Sequence, residues 1–100
     1  MDEWWKGEEQ PRINVIKVDT EGSEKSVLEG GEECIKQCRP VIFFELSKTN
    51  LEAYNLTGQE IIRWLAVRSY RITNLYGAEC TIEKVRNMME EDDMFVARPR

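Results

Sequence analysis

The sequence predicts one small α/β domain: a mostly parallel sheet with helices packed on it and a last strand that can run antiparallel to the rest. Two apolar runs, 13–19 and 40–46, are short and rich in β-branched or aromatic residues, as buried strands are. Each is followed by residues at helical spacing, and strand–helix–strand units imply right-handed parallel crossovers. The chain has 100 residues, 41% of them hydrophobic, enough for a single core with little margin.

Residues 1–12 are polar and acidic apart from Trp4 and Trp5, and read as an N-terminal tail or entry segment closed by Pro11. The domain then spans 13–100. Ile13 to Asp19 (INVIKVD) predicts a strand buried on both faces. Val27, Leu28, Gly31, Cys34 and Ile35 recur at helical spacing, so a helix over about 24–37 follows, with Ser23 as its N-cap. Gly30-Gly31 inside it costs about 1 kcal/mol per glycine, which points to close packing or to a break there. Pro40 to Leu46 (PVIFFEL) is the second buried strand. Thr57-Gly58-Gln59-Glu60 has the form of a capping box, opening a helix with Ile61, Ile62 and Leu65 on one face. Tyr70 to Leu75 alternates as a third strand and Tyr76-Gly77 turns the chain. Ile82, Val85, Met88 and Met89 fit a short helix, and Met94 to Ala97 a final strand.

Composition narrows the function. The net charge is −5, from 14 basic and 19 acidic residues, which argues against a nucleic-acid partner. No apolar run reaches the roughly 20 residues of a membrane-spanning helix, so no membrane partner is expected. The start, Met1-Asp2-Glu3-Trp4-Trp5, lacks the layout of a secretory signal, which places the protein in the cytoplasm unless a leader was removed. Cys34, Cys38 and Cys80 are an odd set and read as reduced thiols in small core positions. Cys34 and Cys38 are four apart and can share a helix face, but two thiols in a chain without histidine make a poor zinc site, and no metal is expected. The absence of histidine also excludes Ser-His-Asp and Cys-His arrangements within this chain. Acid–base chemistry falls to carboxylates, lysine, tyrosine or a bound ion.

The carboxylates gather at strand ends. Ligands of open α/β sheets bind beyond the carboxyl ends of the parallel strands. The first strand ends in Asp19 with Glu21 close behind, and the second ends in Glu45. Neighbouring strands lie about 4.8 Å apart, so these three can share one crevice. There they can accept ligand hydroxyls, take a proton as general base or hold a cation. The alternative is structural, with Glu21 capping the helix start and Asp19 satisfying loop amides.

The run Ile16-Lys17-Val18-Asp19-Thr20-Glu21-Gly22-Ser23-Glu24, followed by Val27-Leu28-Glu29-Gly30-Gly31, resembles the signature of FkbM-type methyltransferases. Arg39-Pro40-Val41-Ile42-Phe43-Phe44-Glu45 is similar to that family's strand ending in glutamate, and Asp93 to Pro99 to its final strand. The resemblance is strong over 13–45 and weaker beyond. It implies a Rossmann-like fold that uses S-adenosylmethionine to methylate a hydroxyl of a small-molecule acceptor. Asp19 would then end the fourth strand of that fold and position or deprotonate the acceptor, with Glu21 and Glu45 supporting the pocket. The seventh strand would run antiparallel between the fifth and sixth. The family's donor-binding half, with its glycine-rich turn, should precede Ile13. The chain is therefore expected to be a methyltransferase fragment, the C-terminal half.

Two other readings compete. Metal-dependent 3′–5′ exonucleases also begin with a strand ending in D-x-E, but there the strand runs into further antiparallel strands, whereas here a helix follows at once. A non-catalytic module derived from a methyltransferase half would instead use an exposed sheet edge for homodimerisation or docking. Trp4, Trp5, Trp64 and Met88-Met89 would then offer contact surface, although Trp64 and the methionines fit core packing better.

Overall fold

The computed structural model describes residues 2–18, 24–46, 51–89 and 94–100. They form α1 (Asp2–Gly7), β1 (Val15–Val18), α2 (Glu24–Gly30), α3 (Glu32–Cys38), β2 (Val41–Glu45), α4 (Leu51–Ala66), β3 (Tyr70–Asn74), α5 (Val85–Met88) and β4 (Met94–Pro99). Among the described residues, four strands form one sheet in the order β1-β2-β4-β3. β1 pairs parallel with β2, and β4 runs antiparallel to both of its neighbours, β2 and β3. Three strands thus share a direction and the last is inserted, reversed, between the second and third.

The chain crosses the sheet in the same sense from β1 to β2 and from β2 to β3, and right-handed crossovers then place both connections on one face. The core follows that rule. Val18, Ile42, Phe44, Tyr70, Ile72, Phe95 and Ala97 of the strands join Leu28, Ile35, Ile61, Ile62, Leu65, Val85 and Met89 in one buried cluster. Val15, Lys17, Val41, Phe43, Arg71 and Arg98 alternate onto the other face and lie outside that cluster. Trp64 and Met89 are core residues, and Met88 packs against the same cluster.

The first strand departs from expectation. β1 is the edge of the described sheet rather than a strand buried on both faces, and only Val18 of its four residues is buried. Its β-branched residues fit a pleated surface, but the described core lies on one face only and the side chains on the other stay open, Val15 at 57% exposure. The single helix expected over 24–37 is two, α2 and α3, with the break at Gly31. The capping box does not start its helix either: Thr57 lies inside α4, which begins at Leu51. The expected N-cap Ser23 lies outside the described residues.

Residues 2–7, read as tail or entry segment, form a helix packed on α3. Trp5 is buried and donates its Nε1–H to the Pro11 carbonyl at 2.7 Å. Asp2 supplies what α3 lacks. Gly31 at the N-cap of α3 has no side chain to cap with, and the Asp2 carboxylate accepts the backbone N–H groups of Glu33 and Cys34, each at 3.0 Å. The other end of α3 closes on Arg39 in the left-handed conformation, φ 51°, and Pro40 cannot continue a helix. The Arg39 guanidinium lies over the Tyr70 ring and donates to the carbonyls of Arg68 (2.6 Å) and Ser69 (3.0 Å). The Tyr70 hydroxyl in turn donates to the Pro40 carbonyl at 2.7 Å, tying the start of β2 to the start of β3.

Candidate active site

The parallel register brings two strand ends together. Val18 is paired with Phe44, Phe44 with Phe95, and Phe95 with Asn74, so these four residues lie in one row across the sheet. The Phe44 and Phe95 rings stack at 5.8 Å between centroids and form the helix-side floor of that row. The next residue along β2 is Glu45, half-buried and paired with Met94 where β4 begins. Its neighbours Phe44 and Leu46 point into the helical core, so Glu45 alternates onto the opposite face, at the carboxyl end of the strand.

Asp19 and Glu21 lie outside the described residues. The described geometry reaches the residue before Asp19: Val18, which stands opposite Phe44, the residue before Glu45. Of the three carboxylates read from the sequence, Glu45 is the one the structure describes at the end of the sheet.

The same end holds residues that the sequence reading passed over. Asn74 closes β3 and is buried; its side-chain oxygen accepts the backbone N–H of Tyr76 (3.0 Å) and of Ala78 (2.9 Å). Gly77 completes that turn at φ 88°, a conformation that favours glycine. The turn presents Tyr76 almost fully to solvent beside the rim. Asn-Leu-Tyr-Gly carried the signal, since asparagine caps its own turn and glycine follows. Gly58 gave none. A Cβ there would meet Val85 Cγ2 at 3.3 Å and both Leu46 Cδ1 and Met89 Sδ at 3.4 Å, so glycine lets α4 sit close against the end of β2 and α5.

The perturbed acids lie elsewhere. Burial pushes the Cys34 thiol up to about 11, helped by neighbouring Cys38, and burial raises the Tyr70 phenol against the opposing pull of Arg39. Tyr70 begins β3, the opposite end from Glu45. A cavity of about 440 Å³, lined in part by Ile35, Lys36, Arg39, Arg68 and Ser69, also lies at that opposite end. Both arginines around it are engaged: Arg68 lies over Trp64, pairs with Glu32 at 2.7 Å and donates to the Trp64 carbonyl. No helix of the described residues is long and apolar enough to cross a membrane.

The methyltransferase FkbM domain profile matches residues 1–72. No curated protein and no solved structure gives a significant match. The match begins with α1, outside the stretch that carries the sequence signature, and runs through both parallel strands into β3. The profile match covers most of the chain's length, and the chain belongs to the methyltransferase FkbM family.

Proposed function

We propose that these residues form the acceptor-side half of a Rossmann-like O-methyltransferase that uses S-adenosylmethionine as donor and a small-molecule hydroxyl as acceptor. The observation that carries the reading is the β1–β2 register, whose last described pair immediately precedes Asp19 and Glu45 in the sequence. The strand order supports it too, with a reversed last strand between the second and third. Asp19 accepts the acceptor hydroxyl as a hydrogen-bond donor, orients its oxygen and takes its proton as the oxygen becomes nucleophilic. Glu45 and Glu21 orient the acceptor and keep the developing positive charge compensated.

S-adenosylmethionine supplies an electrophilic methyl group where it is bound, but the residues present here do not fit it. Residues 1–12 carry no glycine-rich turn, and the cavity lined by Arg39 and Arg68 lies at the wrong end of the sheet. No donor contact is assigned to this chain, and donor binding belongs to a half carried by other residues. Equilibrium dialysis of labelled S-adenosylmethionine tests the division. These 100 residues alone should retain none above background, and a protein that adds a donor-binding half before Ile13 should retain it stoichiometrically. Stoichiometric binding by the 100 residues alone would overturn the division into halves.

A second reading, an interaction module, is favoured by the edge position of β1 and the exposure of Val15. It predicts a dimer or a docked partner through that edge, and light scattering of the purified chain at increasing concentration separates it from a monomeric half.

A further inference from the structure

Cys34 and Cys38 take no part in the proposed chemistry, yet they are placed with care. Both lie on α3 four residues apart, so their side chains share a face of the helix. The shared face is turned to the segment that links α1 to β1: the Cys38 sulfur accepts the Ile13 backbone N–H at 3.5 Å and donates to the Pro11 carbonyl at 3.7 Å. Cys34 is fully buried, and its own N–H is held by Asp2. Cys38 is only half-buried, and so gives the pair one accessible sulfur. None of the three cysteines is in a disulfide.

We propose that Cys34 and Cys38 form a bidentate dithiol site for a soft, thiophilic centre that bonds two sulfurs at once, with trivalent arsenic as its ligand class. A direct disulfide fits less well, because it needs Cβ atoms within about 4.5 Å, closer than a regular helical turn brings them. A single bridging atom tolerates the wider spacing. Ligand number selects among such atoms. A zinc-like ion takes four ligands, and among the described residues no group of three or more His, Cys, Asp or Glu could hold one, whereas an organoarsenic(III) centre is complete with two sulfurs. With an organoarsenic(III) oxide the step balances without an oxidant. Two As–S bonds form, the As=O bond breaks, and the oxygen leaves as water with the two thiol protons. Arsenic stays trivalent throughout. Cys38 attacks first from the accessible side and Cys34 closes the ring.

The test is phenylarsine oxide added to the folded full chain, read by intact mass. The proposal expects one adduct that has lost one water, is reversed by 2,3-dimercaptopropanol and survives an equal concentration of 2-mercaptoethanol. Cys34→Ala and Cys38→Ala should each retain the arsenical at least about 100-fold more weakly, the gain a second tethered ligand gives. Cys80→Ala, which removes the buried thiol outside α3, should retain it unchanged. Circular dichroism establishes that each variant is folded, and Cys38→Ser, at the half-buried position, serves if an alanine variant is not. An adduct of equal strength in a folded Cys38 variant, or none in the parent chain, would overturn the site.

Discussion

Asp2→Ala gives a direct measure of how α1 holds the crossover that leads into β2. Asp2 is 31 residues before Glu33, yet its two carboxylate oxygens satisfy two backbone donors in the first turn of α3. Gly31 offers no substitute cap. Loss of a capping side chain costs about 1 kcal/mol, and loss of a negative charge at a helix N-terminus a further 0.3–1 kcal/mol or so. The Glu33 N–H is exposed and water can replace its partner; the Cys34 N–H belongs to a fully buried residue and is the costlier to strand. The sum is about 1.5–2 kcal/mol, which for a domain of this size lowers Tm by roughly 6–15 °C. Asp2→Asn, which keeps one acceptor but no charge, should lose about half as much. Glu3→Ala removes the same charge one residue on, with no bond to α3 among the described residues, and should stay within about 0.5 kcal/mol of the parent. Thermal and urea unfolding followed by far-UV circular dichroism measure all three. Equal behaviour of Asp2→Ala and Glu3→Ala would refute the idea that α1 caps α3.

Two further outcomes follow from packing and burial. Gly58→Val places a branched side chain against Val85, Leu46 and Met89, and overpacking there should destabilise by about 1–3 kcal/mol in urea titrations, despite any gain in helix propensity. Cys34 and Tyr70 both have folded-state values above their ordinary ones, so each contribution is intact below the ordinary value and is lost as pH rises towards the folded one. Stability should therefore decline as pH rises from 9.0 to about 11 through Cys34, with Tyr70 adding to the fall above 10.0. Tyr70→Phe should remove the added fall above 10.0, and urea midpoints across that range check it.

Much of this architecture is written in local patterns. The β-branched and aromatic runs at 15–18 and 41–45 are strands because so much apolar surface in so few residues has no other stable use. The reversed last strand followed from the family resemblance and is the topology found. What escaped the sequence is non-local. The edge position of β1 depends on which strands lie beside it, and Val15 looks the same in an interior strand as on a rim. The burial of Trp5 depends on a carbonyl six residues on and on a cap 31 residues away. Thr57 to Glu60 satisfies a local capping rule, but α4 starts earlier, and Gly58 serves packing instead of initiation. At the candidate site, Glu45 was legible as the acidic end of an apolar run. Asn74 was missed because its role rests on a turn closing back to Ala78.

We propose, above all, that Asp19, the residue after β1 in the sequence, acts as general base toward an acceptor hydroxyl. Methyl transfer by an enzyme that joins these residues to a donor-binding half, assayed with Asp19→Asn against the parent, tests it most directly. The account predicts that kcat falls by about 100-fold or more while donor affinity is unchanged. Turnover within a few-fold of the parent would contradict it and remove Asp19 from the reaction.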